Sequence, residues 1–312
     1  MNILFVSNSQ RGIHCLNYLQ QFYTIVGVIT KLQPDNIMEQ FRSVLEQNCP
    51  ILSPVNVNAH HFIDQIRALQ PDLTVLAGFS DLVHTEFINL SSKGCINLHA
   101  GKLPEYRGSS PLNWSLINGE KEFSISIIQI DDGIDTGDVW MEKTFPITDT
   151  STIKDLHQLA NRHFPFLLVD VIREIEKGDA KPRKQAKLHD SYFPLRLPTD
   201  GTVFFDMYSA VEIHNRIRAL TSPYPCVRTY YNGKKLKIVR SSLYSKTFRG
   251  EPGRIYRKLN TSILVCANDK CLWLDEIRDF STDKIVFDEF TRYSKLATVS
   301  GVAESILEDY SK

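Results

Sequence analysis

The stretch CINLHAGKLPEYRGSSP, residues 95–111, begins as an apolar run, sets Asn97 and His99 two positions apart at its end, and then brings in two glycines and two prolines. In an extended chain residues i and i+2 point to the same face, so Asn97 and His99 stand side by side. Pro104 and Gly108 in the following KLPEYRG fix a tight backbone path, and rigid loops hold chemical groups in place. Arg107 adds a positive charge or a structural salt bridge. The carboxyl end of a strand is where open parallel sheets hold their ligands. There an amide and an imidazole can hold a carbonyl oxygen as it becomes an oxyanion, and the imidazole can also move a proton. Acyl transfer needs both.

Working outward, NILFVS, IVGVIT, DLTVLAGFS, GCINLHA and FSISIIQID are strand-like apolar runs. Helical patterns over 12–21, 37–48, 60–69 and 110–118 separate them. This alternation predicts βαβ units and a parallel sheet. A longer helix is expected over 151–177, opening at Ser151 and stopping at Gly178. Residues 179–200, DAKPRKQAKLHDSYFPLRLPTD, mix charge with three prolines and read as a connector. Beyond it, Ser209 and Glu212 form a capping-box pattern ahead of a helix, and Asn232-Gly233 between CVRTYY and KKLKIVR is a hairpin signal. RIYRK, SILVCA and CLWLDEI supply further short strands. The expected fold class is α/β: a Rossmann-like parallel-sheet domain at 1–178, the connector at 179–200, and a smaller β-rich, OB-like domain at 201–312.

Composition narrows the function. Of 312 residues 42% are hydrophobic, and Lys+Arg and Asp+Glu number 36 each, so no global field draws the protein to nucleic acid or anionic lipid. No run reaches the roughly 18 apolar residues of a membrane span and no leader pattern opens the chain, which gives a cytoplasmic expectation with no membrane partner. The six cysteines show no CxxC pair and no zinc spacing, so free thiols are expected rather than a disulfide or a metal. The first βα junction, SNSQRGIH, lacks GxGxxG, and GxxxxGK[ST] is absent; both argue against dinucleotide and P-loop chemistry.

A second motif, DDGIDTGDVW at 131–140, follows another strand and crowds Asp131, Asp132, Asp135 and Asp138 together. It has no EF-hand register, so no metal is expected. As the source of one carboxylate beside His99 it is well suited, because a carboxylate orients an imidazole for proton transfer. N-x-H, LPxYRGxxP and DxGxDTGD in this order resemble the formyltransferase family that uses 10-formyltetrahydrofolate. The resemblance implies a catalytic set of Asn97, His99 and Asp135. It also places the folate co-substrate near Phe79, Ser80, Asp81, Leu82, Leu103 and Ile134, mostly through backbone contacts. Many members have serine where this chain has Gly101.

Three acceptors compete within that resemblance. The purine enzyme is usually a single domain of about 200 residues, which the C-terminal part argues against. The methionyl-tRNA enzyme carries a basic insertion after its second strand; here residues 31–50 hold Lys31 and Arg42 against Asp35, Glu39 and Glu46. Phosphate contacts dominate nucleic-acid affinity, so no nucleic-acid partner is expected. KPRKQAK at 181–187 reads as a solvated linker. HAGKLPEYRG, LNWSLINGEKEF and YFPLR look most like sugar formyltransferases acting on dTDP-4-amino-4,6-dideoxyhexoses. The expected partner is therefore a nucleotide-linked amino sugar, formylated for surface polysaccharide such as O-antigen, with the methionyl-tRNA enzyme or a folate-binding hydrolase module as alternatives. Lys102 and Tyr106 are placed to reach sugar or phosphates. Tyr192 and Tyr224 could stack on the base, and Arg196 and Arg218 could grip the diphosphate. Exposed hairpin edges suggest a homodimer.

Overall fold

Ile3, Leu4, Phe5 and Val6 have no solvent exposure, because the strand that carries them lies inside a sheet. Strands covered on both faces read as continuous apolar runs rather than alternating ones. The computed structural model describes residues 1–31, 36–45, 48–186 and 191–310. Asp35 and Glu46, on which part of the acidic reading of 31–50 rests, and Lys187 of the basic stretch lie outside the described residues.

In chain order the elements begin β1 (Asn2–Val6), α1 (Gln10–Leu19), β2 (Thr24–Ile29), α2 (Ile37–Val44), β3 (Ile51–Leu52), α3 (His60–Ala68), β4 (Leu73–Leu76) and α4 (Thr85–Ile88). They continue β5 (Cys95–His99), β6 (Arg107–Gly108), α5 (Pro111–Ile117), β7 (Glu122–Gln129), β8 (Val139–Pro146), α6 (Ile153–Lys177) and β9 (Tyr192–Phe193). After these come α7 (Ala210–Leu220), β10 (Val227–Tyr231), β11 (Lys234–Leu243), β12 (Ile255–Leu259), β13 (Ser262–Cys266), β14 (Cys271–Asp279) and α8 (Val299–Tyr310).

Two units share the chain. The first comprises Met1–Pro111, Glu122–Pro146 and His157–Pro194; the second comprises Leu112–Lys121, Ile147–Leu156 and Leu195–Lys312. In the first, strands run β3-β2-β1-β4-β5-β7-β8. The five from β3 to β5 are parallel, as the βαβ rhythm requires. β7 is antiparallel to β5, and β8 is an antiparallel edge that the sequence reading did not pick out. Because His99 pairs with Ser126 and Ile96 with Gln129, β7 starts beside the carboxyl end of β5 and runs back along it.

The first βα turn is filled by its own side chains. Ser9 caps α1 by accepting from Gly12 N, and Ser7 Oγ donates to the Ala77 carbonyl at 2.6 Å. A Cβ on Gly12 would run into the Ser7 side chain, so the helix start lies tight against that hydroxyl. Behind the turn, Leu4, Val6, Phe62, Ile63, Ile66 and Phe87 form a core cluster with Phe79 packed at its margin. Each such side chain contributes roughly 1.5–3 kcal/mol by leaving water. On α6, burial beside Arg11 pushes His157 down to about 4. Cys15 is a buried free thiol raised to about 12 by loss of water, and burial pushes the Cys95 thiol up as well.

In the second unit an antiparallel sheet runs β10-β11-β14-β13-β12, with α7 against β11. The capping box holds: Glu212 N donates to Ser209 Oγ at 3.3 Å, and Ser209 N donates to Glu212 Oε2 at 2.8 Å. Asn232 and Gly233 both have positive φ, 47° and 75°, as a two-residue turn matching strand twist requires. The free-thiol expectation fails for one pair. β13 and β14 place Cys266 directly opposite Cys271, and the two form a disulfide. A spacing of five residues shows no sequence motif, but a tight hairpin brings the sulfurs together. α8 was not anticipated. Among the described residues no helix is long and apolar enough to cross a membrane.

Candidate active site

Asn97 and His99 share one face of β5, as strand periodicity dictates, and they lie at the carboxyl edge of the sheet. The loop after β7 brings Asp135 to them. Asp135 Oδ2 lies 3.4 Å from His99 Nδ1 and accepts from Gly108 N at 2.9 Å, while Oδ1 accepts from Asn97 Nδ2 at 3.3 Å. The imidazole is 5% exposed and the carboxylate 12%, so the pair lies largely out of water. At its other end the ring donates from Nε2 to the Tyr106 carbonyl, 2.6 Å away. Both neighbours of the ring are acceptors.

Several local devices hold this arrangement. Asp135 has φ +52°, a left-handed conformation rare for residues with side chains, though aspartate adopts it more readily than most. Gly137 sits so close to Gln129 that a Cβ would run into its carbonyl. The neighbouring acids are individually engaged: Asp131 accepts from Gly133 N at 3.1 Å and Thr136 Oγ1 at 2.6 Å, and Asp132 accepts from Thr85 Oγ1 at 2.7 Å. Gly101 has no room for a side chain. A Cβ there would lie 2.6 Å from His99 Nε2 and 2.7 Å from the Tyr106 carbonyl oxygen.

The residues expected around folate divide by surroundings. Phe79 packs partly into the core, Asp81 pairs with Lys31 at 2.5 Å, and Ser80 lies exposed beside it. Leu82 and Ile134 are exposed apolar side chains, 66% and 40%, in the two loops that border β4 and β7. Leu103 is instead interior, packed with Ile128 and Val139.

Of the expected acceptor contacts, Lys102 is partly exposed, with Nζ 3.6 Å from Glu122. Tyr192 is exposed on β9, beside Arg107 of β6. Tyr106 is buried with its ring stacked on Phe193 at 5.0 Å, so its carbonyl is what it brings to His99. Arg196, Arg218 and Tyr224 belong to the second unit. Arg196 stacks over Trp114 and donates to the Asp200 carbonyl. Arg218 is 7% exposed and donates to Asn215 Oδ1 and to the carbonyls of Thr148 and Ser151, at 3.0–3.1 Å. Its interior position comes from packing within the second unit, which no sequence pattern distinguished from an outward one.

Sequence reasoning missed Gln185. Its Nε2 donates to the carbonyls of Asp135 and Gly137, at 2.8 and 2.7 Å, and its Oε1 accepts from Arg107 Nε and Nη2, at 3.1 and 2.9 Å. It was hidden in the basic stretch KPRKQAK, where charge drew attention from the one amide.

Comparison with known proteins matches residues 2–172 to the formyl transferase family and residues 198–294 to the formyl transferase C-terminal domain. The chain belongs to the formyl transferase family. A methionyl-tRNA formyltransferase of Clostridium novyi (strain NT) is 32% identical to this formyltransferase over 288 residues, covering 89% of this chain and 92% of the relative. An N-formyltransferase from Helicobacter canadensis, solved with folinic acid and dTDP-3-aminofucose, superposes with a TM-score of 0.69 at 19% identity, covering 87% of this chain and 97% of that one. HypX from Aquifex aeolicus gives a TM-score of 0.62 at 17% identity over 92% of this chain, which spans only 47% of the HypX chain. At these identities the solved structures speak for a shared fold.

Proposed function

We propose that this formyltransferase moves the formyl group of 10-formyltetrahydrofolate onto the amine of a nucleotide-linked amino-deoxy sugar, a dTDP-4-amino-4,6-dideoxyhexose such as the glucose form. The observation that carries formyl transfer is the Asp135 carboxylate lying within 3.4 Å of both the Asn97 amide and the His99 imidazole. In this reading the amine nitrogen bonds to the formyl carbon and the carbonyl electron pair moves to oxygen, where the Asn97 amide stabilises it. With Nδ1–H held on Asp135 and Nε2 released from the Tyr106 carbonyl, His99 takes at Nε2 the proton that the nitrogen loses. It returns that proton to the departing folate nitrogen as the old carbon–nitrogen bond breaks and the oxyanion pair re-forms the carbonyl. Asp135 keeps the imidazole turned toward that exchange. Leu82 and Ile134, the exposed apolar side chains nearby, suit one face of the pterin.

For the sugar, support comes from the sequence features around Lys102 and Tyr192, from equal numbers of acidic and basic residues, and from the folded likeness to the Helicobacter protein. A second reading has its own support: the Clostridium novyi relative acts on methionyl-tRNA and aligns over nearly the whole chain. The two acceptors differ in phosphate number, so they differ in salt response. An enzyme neutralising six to ten phosphates loses about 10³–10⁵ in affinity between 50 and 200 mM salt, whereas a diphosphate involves two. Incubation with 10-formyltetrahydrofolate and each acceptor in parallel, followed by mass spectrometry for one added formyl group, separates them. Turnover of the dTDP-amino sugar with mild salt sensitivity is expected. Efficient formylation of methionyl-tRNA with a steep salt slope, and none of the sugar, would make the second reading correct. The reading places the enzyme in the cytoplasm as a homodimer, which light scattering at micromolar concentration checks against a 35.7 kDa monomer.

A further inference from the structure

The segment after α6 does more than connect. The backbones of Arg183 and Val139 exchange two hydrogen bonds of 2.8 Å, β9 pairs in parallel with β6, and Ser109 N donates to the Phe193 carbonyl at 2.8 Å. Phe193 stacks on Tyr106, whose carbonyl accepts the hydrogen bond from His99 Nε2. Between these anchors sits Gln185, half-buried.

We propose that Gln185 is a positioning residue for the reaction, acting through Asp135; this rests on the reading of Asp135 as the partner of His99. Two loops make the carboxylate's surroundings. One carries Asp135 itself, and the other carries Arg107 and Gly108, whose N–H reaches Asp135 Oδ2 at 2.9 Å. Gln185 is bonded to both. Its amide nitrogen holds the carbonyls of Asp135 and Gly137, at and just after the left-handed residue, and its amide oxygen takes two donors from Arg107. Only an uncharged carboxamide offers two donors at one atom and an acceptor at the other, so the side chain matches its four partners. Asp135 has φ +52°, and the two hydrogen bonds from Gln185 tie the backbone at and just after that residue, beside those its carboxylate takes from Asn97 and Gly108. A loosened turn would leave the carboxylate in the chain but misaim it, and a displacement of about 1 Å can cost about a hundredfold in rate.

The variants Gln185→Ala and Gln185→Glu separate the two ends of the clamp. Glutamate keeps an acceptor for Arg107 but sets an oxygen against two carbonyl oxygens. Hydrogen exchange on the unliganded protein reads the clamp without any substrate: in both variants peptides covering 131–138 should exchange about tenfold faster, while those of β1 and β4 keep their protection. With 10-formyltetrahydrofolate and dTDP-4-amino-4,6-dideoxyglucose, or methionyl-tRNA where that is the acceptor that turns over, kcat should fall about 10–100-fold in both, with KM for the folate changed less than about threefold. In an Asp135→Asn background the further loss from Gln185→Glu should shrink below about threefold, because the two act as one unit. Unchanged exchange over 131–138 in both variants would overturn the proposal. So would a Gln185→Glu enzyme at wild-type kcat beside a slow Gln185→Ala, which would assign the effect to Arg107, and so would full additivity with Asp135→Asn. If Asp135→Asn alone kept wild-type turnover, the reading of Asp135 would fall, and the exchange rates would still show whether Gln185 holds the turn.

Discussion

The Nε2 atom of His99 donates to the main-chain carbonyl of Tyr106 at 2.6 Å, across the space that a side chain at position 101 would need. Gly101 is therefore part of the site by what it lacks. A serine here, as in many members of the family, would press on His99, on the Tyr106 carbonyl and on Pro111 Cβ, the last at 2.9 Å. Overpacking of this kind typically costs about 1–3 kcal/mol. Gly101→Ser should lower the melting temperature and reduce kcat at least about tenfold by displacing the ring. A Gly101→Ser enzyme with wild-type melting and turnover would show that Tyr106 and His99 give way freely.

Removal of one oxyanion donor usually costs about 10²–10³ in turnover, so Asn97→Ala is expected in that range, measured as kcat at saturating folate. His99→Ala should fall further, since the ring both accepts and returns a proton. Neither change should unfold the protein. Near wild-type rates for either would make the pair a structural strand end.

Arg218 should behave as an interior residue. Arg218→Ala leaves Asn215 Oδ1 and the Ser151 carbonyl without the Arg218 donor and leaves the Thr148 carbonyl only Ser151 N, and one unsatisfied buried group costs about 1–3 kcal/mol. Denaturant unfolding should show a loss of that order, while KM for the acceptor at a temperature where the variant is folded stays within about twofold. A raised KM with unchanged stability would return Arg218 to the substrate.

Acid should weaken the fold through buried histidines. His157 sits at about 4 in the folded chain against an ordinary 6.5, held neutral chiefly by burial and secondarily by Arg11. The unfolded chain then binds the proton more tightly, so its contribution is full above 6.5 and is lost as pH falls toward 4. That difference is worth about 3 kcal/mol. His214 adds in the same direction: burial pushes it down, Nε2 donates to the Asp149 carbonyl and Nδ1 accepts from Ser241. Urea midpoints measured from pH 7.5 to 4.5 should fall steadily, and less steeply in His157→Gln. An equal slope in that variant would remove His157 from the account.

Strand periodicity was enough to pair Asn97 with His99, because a period of two leaves no freedom in which residues share a face. The βαβ rhythm gave the parallel strands, and short-range chemistry gave the Ser209 cap and the Asn232-Gly233 turn. What sequence could not show depends on distant partners. Whether β7 runs parallel or antiparallel is decided by where the chain spends residues 100–121, and Leu103 and Arg218 are interior for reasons of tertiary packing alone. Gln185 is a neutral residue among charges, and only its four hydrogen bonds, to three residues 48–78 positions away, mark it out. Cys266 and Cys271 likewise meet only once β13 and β14 are in register.

The second unit draws segments from the middle of the chain, and that fixes a timetable for its birth. Asn113 awaits the Ala219 carbonyl, 106 residues later, and the Thr148 carbonyl awaits Arg218, 70 residues later. At roughly 5–20 residues per second a ribosome takes about 5–20 s to span the longer gap. Throughout that interval Leu112, Leu116 and Ile117, all buried in the finished protein, belong to a unit whose last segment, Leu195–Lys312, is wholly or mostly still unmade. The nascent chain is thus most open to chaperones and to aggregation midway through translation, after the parallel strands have emerged and before α7 has.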